Sequence, residues 1–320
     1  MHKKNIIDPQ DISVVVQGAI DKNLTPQCLK SIRKHLPGAE IILSTWDGSD
    51  VSGLDYDKLV LNKDPGAYPN TTDGKRNYNL NRYLVSTQSG IKKASKKYVL
   101  KMRSDMLLTG ANFLRYFNKF KHRDARYSLF KHKVLTSSLY TIEGEKGIKK
   151  ERHKMHPTPY HISDWWHFGL ADDIKLLFKC PIIKNFKKFA QYFKEPKYEL
   201  SWLNHRLWRF PPEQYLGIEL AKKKFSDLYF PDCLSYKNVD LKRSRNFIVD
   251  NFITLDYKQS QILLNKDYYL QMCKKYRKIP PHVFYTMFSF DRYKSFYYGL
   301  PNFRMFFKRL YYYYKNRNEL

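Results

Sequence analysis

Apolar residues over the first hundred positions alternate between a strand pattern and a helix pattern. Ile12-Ser13-Val14-Val15-Val16 is a β-branched run that stops at Gln17-Gly18, which predicts a central strand. Thr25 then precedes Pro26 at a helix start, Leu29, Ile32, Arg33 and Leu36 carry the helical period, and Pro37-Gly38 ends the helix. A second apolar strand covers Glu40 to Trp46, and Leu59-Val60-Leu61 is a short third one. Asp64-Pro65-Gly66 reads as a turn, with proline presetting φ and glycine accepting a positive value. A helix from Asn77 to Ala94 leads into a strand that starts at Tyr98 and runs through Lys101-Met102-Arg103-Ser104-Asp105-Met106. Strand and helix units of this length predict right-handed crossovers and an α/β fold with a mostly parallel sheet. On a strand side chains alternate, so Lys101, Arg103 and Asp105 are expected on one face at its carboxyl end, the edge where open α/β sheets bind ligands.

Beyond Thr109 the pattern loosens into shorter elements, with a polar, basic stretch from Glu143 to His156 expected to be an exposed loop. A second organised piece begins at Tyr160 and runs through His161-Ile162-Ser163-Asp164-Trp165-Trp166-His167-Phe168-Gly169, followed by a helix from Asp172 to Phe178. Pro211-Pro212-Glu213-Gln214-Tyr215 opens a further helix that reaches Lys224. Composition adds a strong charge: 58 Lys and Arg against 30 Asp and Glu give +28, which calls for a polyanionic neighbour such as nucleic acid, an anionic membrane face or a phosphate-bearing substrate. Residues 274–318 concentrate it, with eleven Lys and Arg, one acid at Asp291, and interleaved Phe and Tyr. Cys28, Cys180, Cys233 and Cys273 show no paired or metal-ligand spacing, as in a reducing cytosol. The start has no signal-peptide pattern, and no apolar run reaches the roughly 18 residues of a membrane span, so a cytoplasmic protein with at most peripheral membrane contact is expected.

Five blocks, taken in order, carry a family resemblance. They are Val15-Val16-Gln17-Gly18, the run from Ser31 to Trp46, Asp64-Pro65-Gly66, Asn81-Arg82, and Lys101-Met102-Arg103-Ser104-Asp105. Together they resemble the WavE lipopolysaccharide-synthesis family, and His161-Ile162-Ser163-Asp164-Trp165 and Pro212-Glu213-Gln214-Tyr215 look like its later blocks. The resemblance implies a glycosyltransferase with a GT-A-like, Rossmann-type sheet flanked by helices. Residues 1–110 would be the nucleotide-sugar half, 111–270 the acceptor and catalytic half, and 271–320 a helical basic segment. The substrates implied are a nucleotide-sugar donor and a lipid-linked glycan of the lipopolysaccharide core or another bacterial surface glycan.

Glycosyl transfer needs the leaving diphosphate neutralised, by Mg²⁺ or Mn²⁺ or by fixed cations. Asp105 is the expected metal or diphosphate residue, with Arg103 either supporting it or forking onto phosphate directly. Gln17 and Gly18 end the first strand and Trp46 and Asp47 the second, placing them for the nucleotide; Asp64 and Arg82 join them as donor-binding candidates. A general base must take the acceptor's proton, and Glu213 and Asp164 are the candidates. His161 and His167 flank the Asp164 segment as candidate phosphate donors or metal ligands. Residues 274–318 mix cationic and aromatic side chains as interfacial binders do, which suggests docking on the anionic inner membrane with no nucleic-acid partner. Two alternatives fit the sequence. One is a non-catalytic protein that binds nucleic acid or polysaccharide, and the other a transferase of a nucleotide-activated phosphoryl group.

Overall fold

The computed structural model describes residues 7–69, 77–121, 123–141, 158–190, 209–233 and 235–264. The predicted loop from Glu143 to His156 and the basic segment 274–318 lie outside these residues. In chain order the first half forms β1 (Ile12–Gln17), α1 (Leu24–His35), β2 (Glu40–Trp46), β3 (Lys58–Asn62), β4 (Tyr68–Pro69), β5 (Asn77–Tyr78), α2 (Leu80–Lys93), β6 (Tyr98–Arg103) and β7 (Met106–Leu108). The second half adds β8 (Val134–Ser137), β9 (Trp166–Leu170), α3 (Ala171–Leu177), α4 (Phe186–Ala190), α5 (Pro212–Ala221), α6 (Asn238–Asn251), β10 (Phe252–Leu255), α7 (Tyr257–Ser260) and β11 (Ile262–Leu264).

Seven strands form one sheet in the order β10-β8-β9-β6-β1-β2-β3. β6, β1, β2 and β3 are parallel to one another, β9 pairs antiparallel with both β6 and β8, and β10 runs parallel to β8. The α/β class and the mostly parallel sheet are as the sequence predicts. β1 lies inside the sheet between β6 and β2, and all six of its residues are buried, which fits its β-branched content. Because β1, β2 and β6 are parallel, Gln17, Trp46 and Arg103 finish at the same edge. α2 packs across β1, β2 and β3. No helix among the described residues is long and apolar enough to cross a membrane.

Three elements differ from the sequence reading. The strand from Tyr98 does not run to Met106: β6 stops at Arg103, and Ser104-Asp105 turn before β7 begins. Ser104 is drawn aside because its N–H donates to the Gln17 carbonyl at 3.0 Å and its hydroxyl to the Ala19 carbonyl at 2.7 Å. α2 begins at Leu80 because Asn77–Tyr78 pairs with β4 instead. α1 is capped by Asp21, whose Oδ1 accepts the N–H groups of Asn23 and Leu24 at 2.9 Å each, ahead of the expected start at Thr25. The sequence reading assigned no element to α6 and β10.

Residues 158–165 are largely irregular and are held in place by α5. Ile162 N–H donates to the Glu213 carbonyl at 3.3 Å and the Gln214 amide to the Pro159 carbonyl at 3.1 Å. At Gly217 the helix comes so near that a Cβ would sit 1.7 Å from the Tyr160 carbonyl oxygen, so backbone packs on backbone. Gly217→Ala is therefore expected to cost on the order of 3 kcal/mol, since neither partner is a side chain that can rotate away. Chemical denaturation measures this, and a variant as stable as the parent would show that the α5 contact is not tight.

Candidate functional site

A cavity of about 440 Å³ opens where β1, β2 and β6 end. Its floor comes from Gln17 to Asp21 and from Arg103 to Asp105, and one wall from Asn79, Arg82, Tyr83 and Ser86, which recur at helical spacing on α2 and its N-terminal flank. Trp46, Asp164 and Pro212 complete it. Gly18 has φ +122, a conformation glycine adopts freely, and a Cβ there would meet Ser104 Oγ at 3.2 Å. The Gln17 amide oxygen lies 2.7 Å from Ser86 Oγ, which couples β1 to α2 at the rim.

Arginine dominates one side of the cavity. Arg103 forks onto Asp105, Nε to Oδ1 at 2.9 Å and Nη2 to Oδ2 at 2.7 Å, a pair made possible by the turn after Ser104. Burial disfavours the guanidinium charge, but the Asp105 hydrogen bonds outweigh it and the Arg103 pKa is raised. Arg82 forks onto Asp64 in the same way, at 2.8 and 2.6 Å, and bonds the Asn79 side-chain oxygen at 3.2 Å. The Arg82 hydrogen bonds hold the Asp64 carboxyl below its usual range. Asp64 does not line the cavity; it orients Arg82, which does. Asp47 is also outside: it is exposed, and its Oδ1 accepts from the Gly48 N–H at 3.1 Å in a turn. Gln17, Gly18, Trp46, Arg82, Arg103, Asp105 and Asp164 are brought together.

The cavity also carries acidic groups. Asp164 lines the cavity, and its Oδ1 is buried with no hydrogen-bond partner among the described residues. Glu213 sits half-buried in the first turn of α5, behind Pro212, and is tied to the Asp164 segment through Ile162. Burial, reinforced by the Asp164 charge, pushes the Glu213 carboxyl well above its usual range, which favours its neutral form. His161 and His167 are both buried behind this segment, where desolvation holds them neutral; His161 Nδ1 contacts the Tyr140 carbonyl at 2.7 Å. Neither lines the cavity. Asn81 serves structure as well, its amide bonding both backbone groups of Ile183 at 2.8 and 3.0 Å.

A divalent cation fits this donor set poorly. Both Asp105 oxygens accept from Arg103, and no group of three His, Cys, Asp or Glu side chains able to hold a metal occurs among the described residues. Mg²⁺ takes near-octahedral oxygen coordination, and the cavity offers it no assembled cluster of carboxylates.

Lys101 is the residue whose place the sequence misjudged most. It does not share a surface with Asp105 but is fully buried, its Nζ 4.4 Å from the Tyr83 ring centre and donating to the Asp164 carbonyl. Desolvation lowers its pKa to about 7, against a partial upward pull from Asp164. Tyr83, Ser86 and Asn79 were missed as site residues; their spacing with Arg82 along one helix face was the available signal.

The lowered Lys101 pKa fixes a pH dependence. The unfolded chain holds the lysine proton up to about 10.5 while the folded chain releases it near 7, so the unfolded state binds more protons in between and stability rises with pH there. Relative to Lys101→Met, the wild type should gain a few kcal/mol between about pH 7 and pH 10. Denaturant melts across that window check it, and parallel stability curves for the two proteins would contradict the buried amine.

No curated protein matches the chain. A family model described as WavE lipopolysaccharide synthesis matches residues 12–278. The chain belongs to the WavE lipopolysaccharide-synthesis family, which places it in lipopolysaccharide biosynthesis.

Proposed function

We propose that the protein is a glycosyltransferase that moves a sugar from a nucleotide-sugar donor to a lipopolysaccharide acceptor, with Arg82 and Arg103 on the donor diphosphate and Asp164 as the base. The observation that carries this reading is one cavity lined by two arginines and by a carboxylate with an unpartnered oxygen, at the carboxyl ends of parallel strands. Such polarity suits a reaction in which negative charge develops on a leaving group while a proton is taken from a nucleophile.

The nucleotide lies against Gly18, where no side chain intervenes, with Trp46 offering a stacking face. Negative charge grows on the diphosphate as the anomeric bond breaks. Arginines already oriented by Asp64 and Asp105 meet that charge with little reorganisation. Asp164 accepts the proton of the acceptor hydroxyl as its oxygen bonds to the anomeric carbon. Glu213, kept neutral by burial and the Asp164 charge, adds no second negative charge beside the base. The basic segment 274–318 suits an anionic membrane surface, where a lipid-linked acceptor resides.

A thermal-shift panel of ADP-, UDP-, GDP- and CMP-linked sugars, with EDTA or with Mn²⁺, tests the donor site. At least one compound should stabilise the wild type in EDTA, and Arg103→Ala should weaken its binding about 100-fold. Asp105→Asn, which loosens the Arg103 fork without removing the guanidinium, should still bind in EDTA with a loss of about tenfold at most; binding that vanishes in Asp105→Asn and needs Mn²⁺ would assign the diphosphate to a metal instead.

The two carboxyls separate by substitution. Asp164→Asn should lose about 100-fold or more of transfer at neutral pH with donor binding retained. Glu213→Gln should stay within about threefold, because the amide resembles the neutral acid already present. Reversal of that order, read from product formation, would make Glu213 the base.

A further inference from the structure

Two buried side-chain oxygens in residues lining the cavity have no hydrogen-bond partner among the described residues: Tyr83 Oη and Asp164 Oδ1. Buried polar groups are rarely left unmatched, because each forfeits its bonds to water on folding. These two belong together. Burial, with the Asp164 charge as a second cause, raises the pKa of the Tyr83 phenol, so that group is protonated and a donor. A carboxylate is an acceptor. A buried donor and a buried acceptor, carried by two residues that line one cavity, match a group that is both, and the hydroxyl is the smallest such group.

Both side chains are fixed from below by the same amine. Lys101 Nζ lies 4.4 Å from the centre of the Tyr83 ring and donates to the Asp164 carbonyl, so α2 and the segment before β9 are joined through β6. The Tyr83 ring also packs edge-on against Phe178 at 5.8 Å between centroids, which leaves it little freedom to turn its hydroxyl elsewhere. Neither oxygen is needed to hold these elements together. Lys101 does that through a backbone carbonyl and an aromatic face.

We propose that Tyr83 Oη and Asp164 Oδ1 form a subsite for a sugar hydroxyl, Tyr83 donating to its oxygen and Asp164 accepting its proton. This rests on the glycosyltransferase reading above and adds Tyr83 as a residue that touches substrate. The hydroxyl belongs either to the donor sugar or to the acceptor, and the two sources leave different traces.

Tyr83→Phe tests the subsite, since it deletes one oxygen and keeps the ring over Lys101. In the ligand-free protein its melting temperature should equal or exceed that of the wild type, because an unmatched buried hydroxyl contributes no stability. A lowered melting temperature would show a structural hydroxyl and overturn the subsite. Calorimetric titration then compares a nucleotide sugar from the panel with its sugar-free nucleotide. A donor-sugar hydroxyl predicts about five- to tenfold weaker binding of the nucleotide sugar with the sugar-free nucleotide unchanged. An acceptor hydroxyl predicts unchanged binding of both and slower transfer, or slower donor hydrolysis when water replaces the acceptor. Unchanged binding together with unchanged rates would overturn the subsite while leaving the glycosyltransferase reading intact. Failure of the wild type to bind any compound in the panel would instead overturn that reading, and the subsite with it.

Discussion

A guanidinium at the end of a buried strand needs a counter-charge, and Asp105 supplies it by turning back after Ser104. That turn decides much of the site's chemistry. Had β6 continued through Asp105, the carboxylate would have projected from the same strand face as Lys101 and Arg103. Folded back, it occupies the Nε and Nη2 edge of Arg103, fixes the guanidinium at the cavity floor and gives up both of its own oxygens. Asp64, outside the cavity, holds Arg82 in the same way. Two arginines are thereby immobilised before a ligand arrives, which lowers the ordering cost of binding.

Much of the first half was legible because its signals are local. β1 and β2 are largely apolar, β-branched segments bounded by Gly18 and Asp47, and Pro37-Gly38 marks the end of α1. The convergence of Gln17, Trp46 and Arg103 follows from parallel pairing. What stayed hidden depends on contacts distant in sequence. Nothing near Lys101 reveals that its amine reaches the carbonyl of Asp164, sixty-three residues on. Ser104 ends the strand through bonds to Gln17 and Ala19, which belong to another strand's end. Asp47 and Asp64 read as site residues because turns and ligand loops share the same residue types; only one of them, through Arg82, touches the cavity's chemistry.

The acidic side shows a division of labour set by environment. Asp164 and Glu213 are forty-nine residues apart in sequence and are brought together by the backbone contact between α5 and the segment before β9. Glu213, half-buried at a helix start, keeps its proton, while Asp164 faces the cavity. Two like charges so close would repel, and leaving one neutral removes that cost. Lys101 is buried against the Tyr83 ring and the Asp164 and Trp165 carbonyls, and burial lowers its pKa to about 7. The acidic side and the arginine side therefore share a scaffold, since Lys101 and Arg103 lie two residues apart on β6.

The central claim is that arginine side chains, and not an assembled metal cage, receive the donor diphosphate. A crystal structure of the protein with a bound nucleotide sugar tests it most directly. The account predicts diphosphate oxygens within hydrogen-bonding distance of the Arg82 and Arg103 guanidinium groups, with the nucleoside against Gly18 and Trp46. Diphosphate held by a divalent cation on Asp105, with Arg103 turned away, would contradict it.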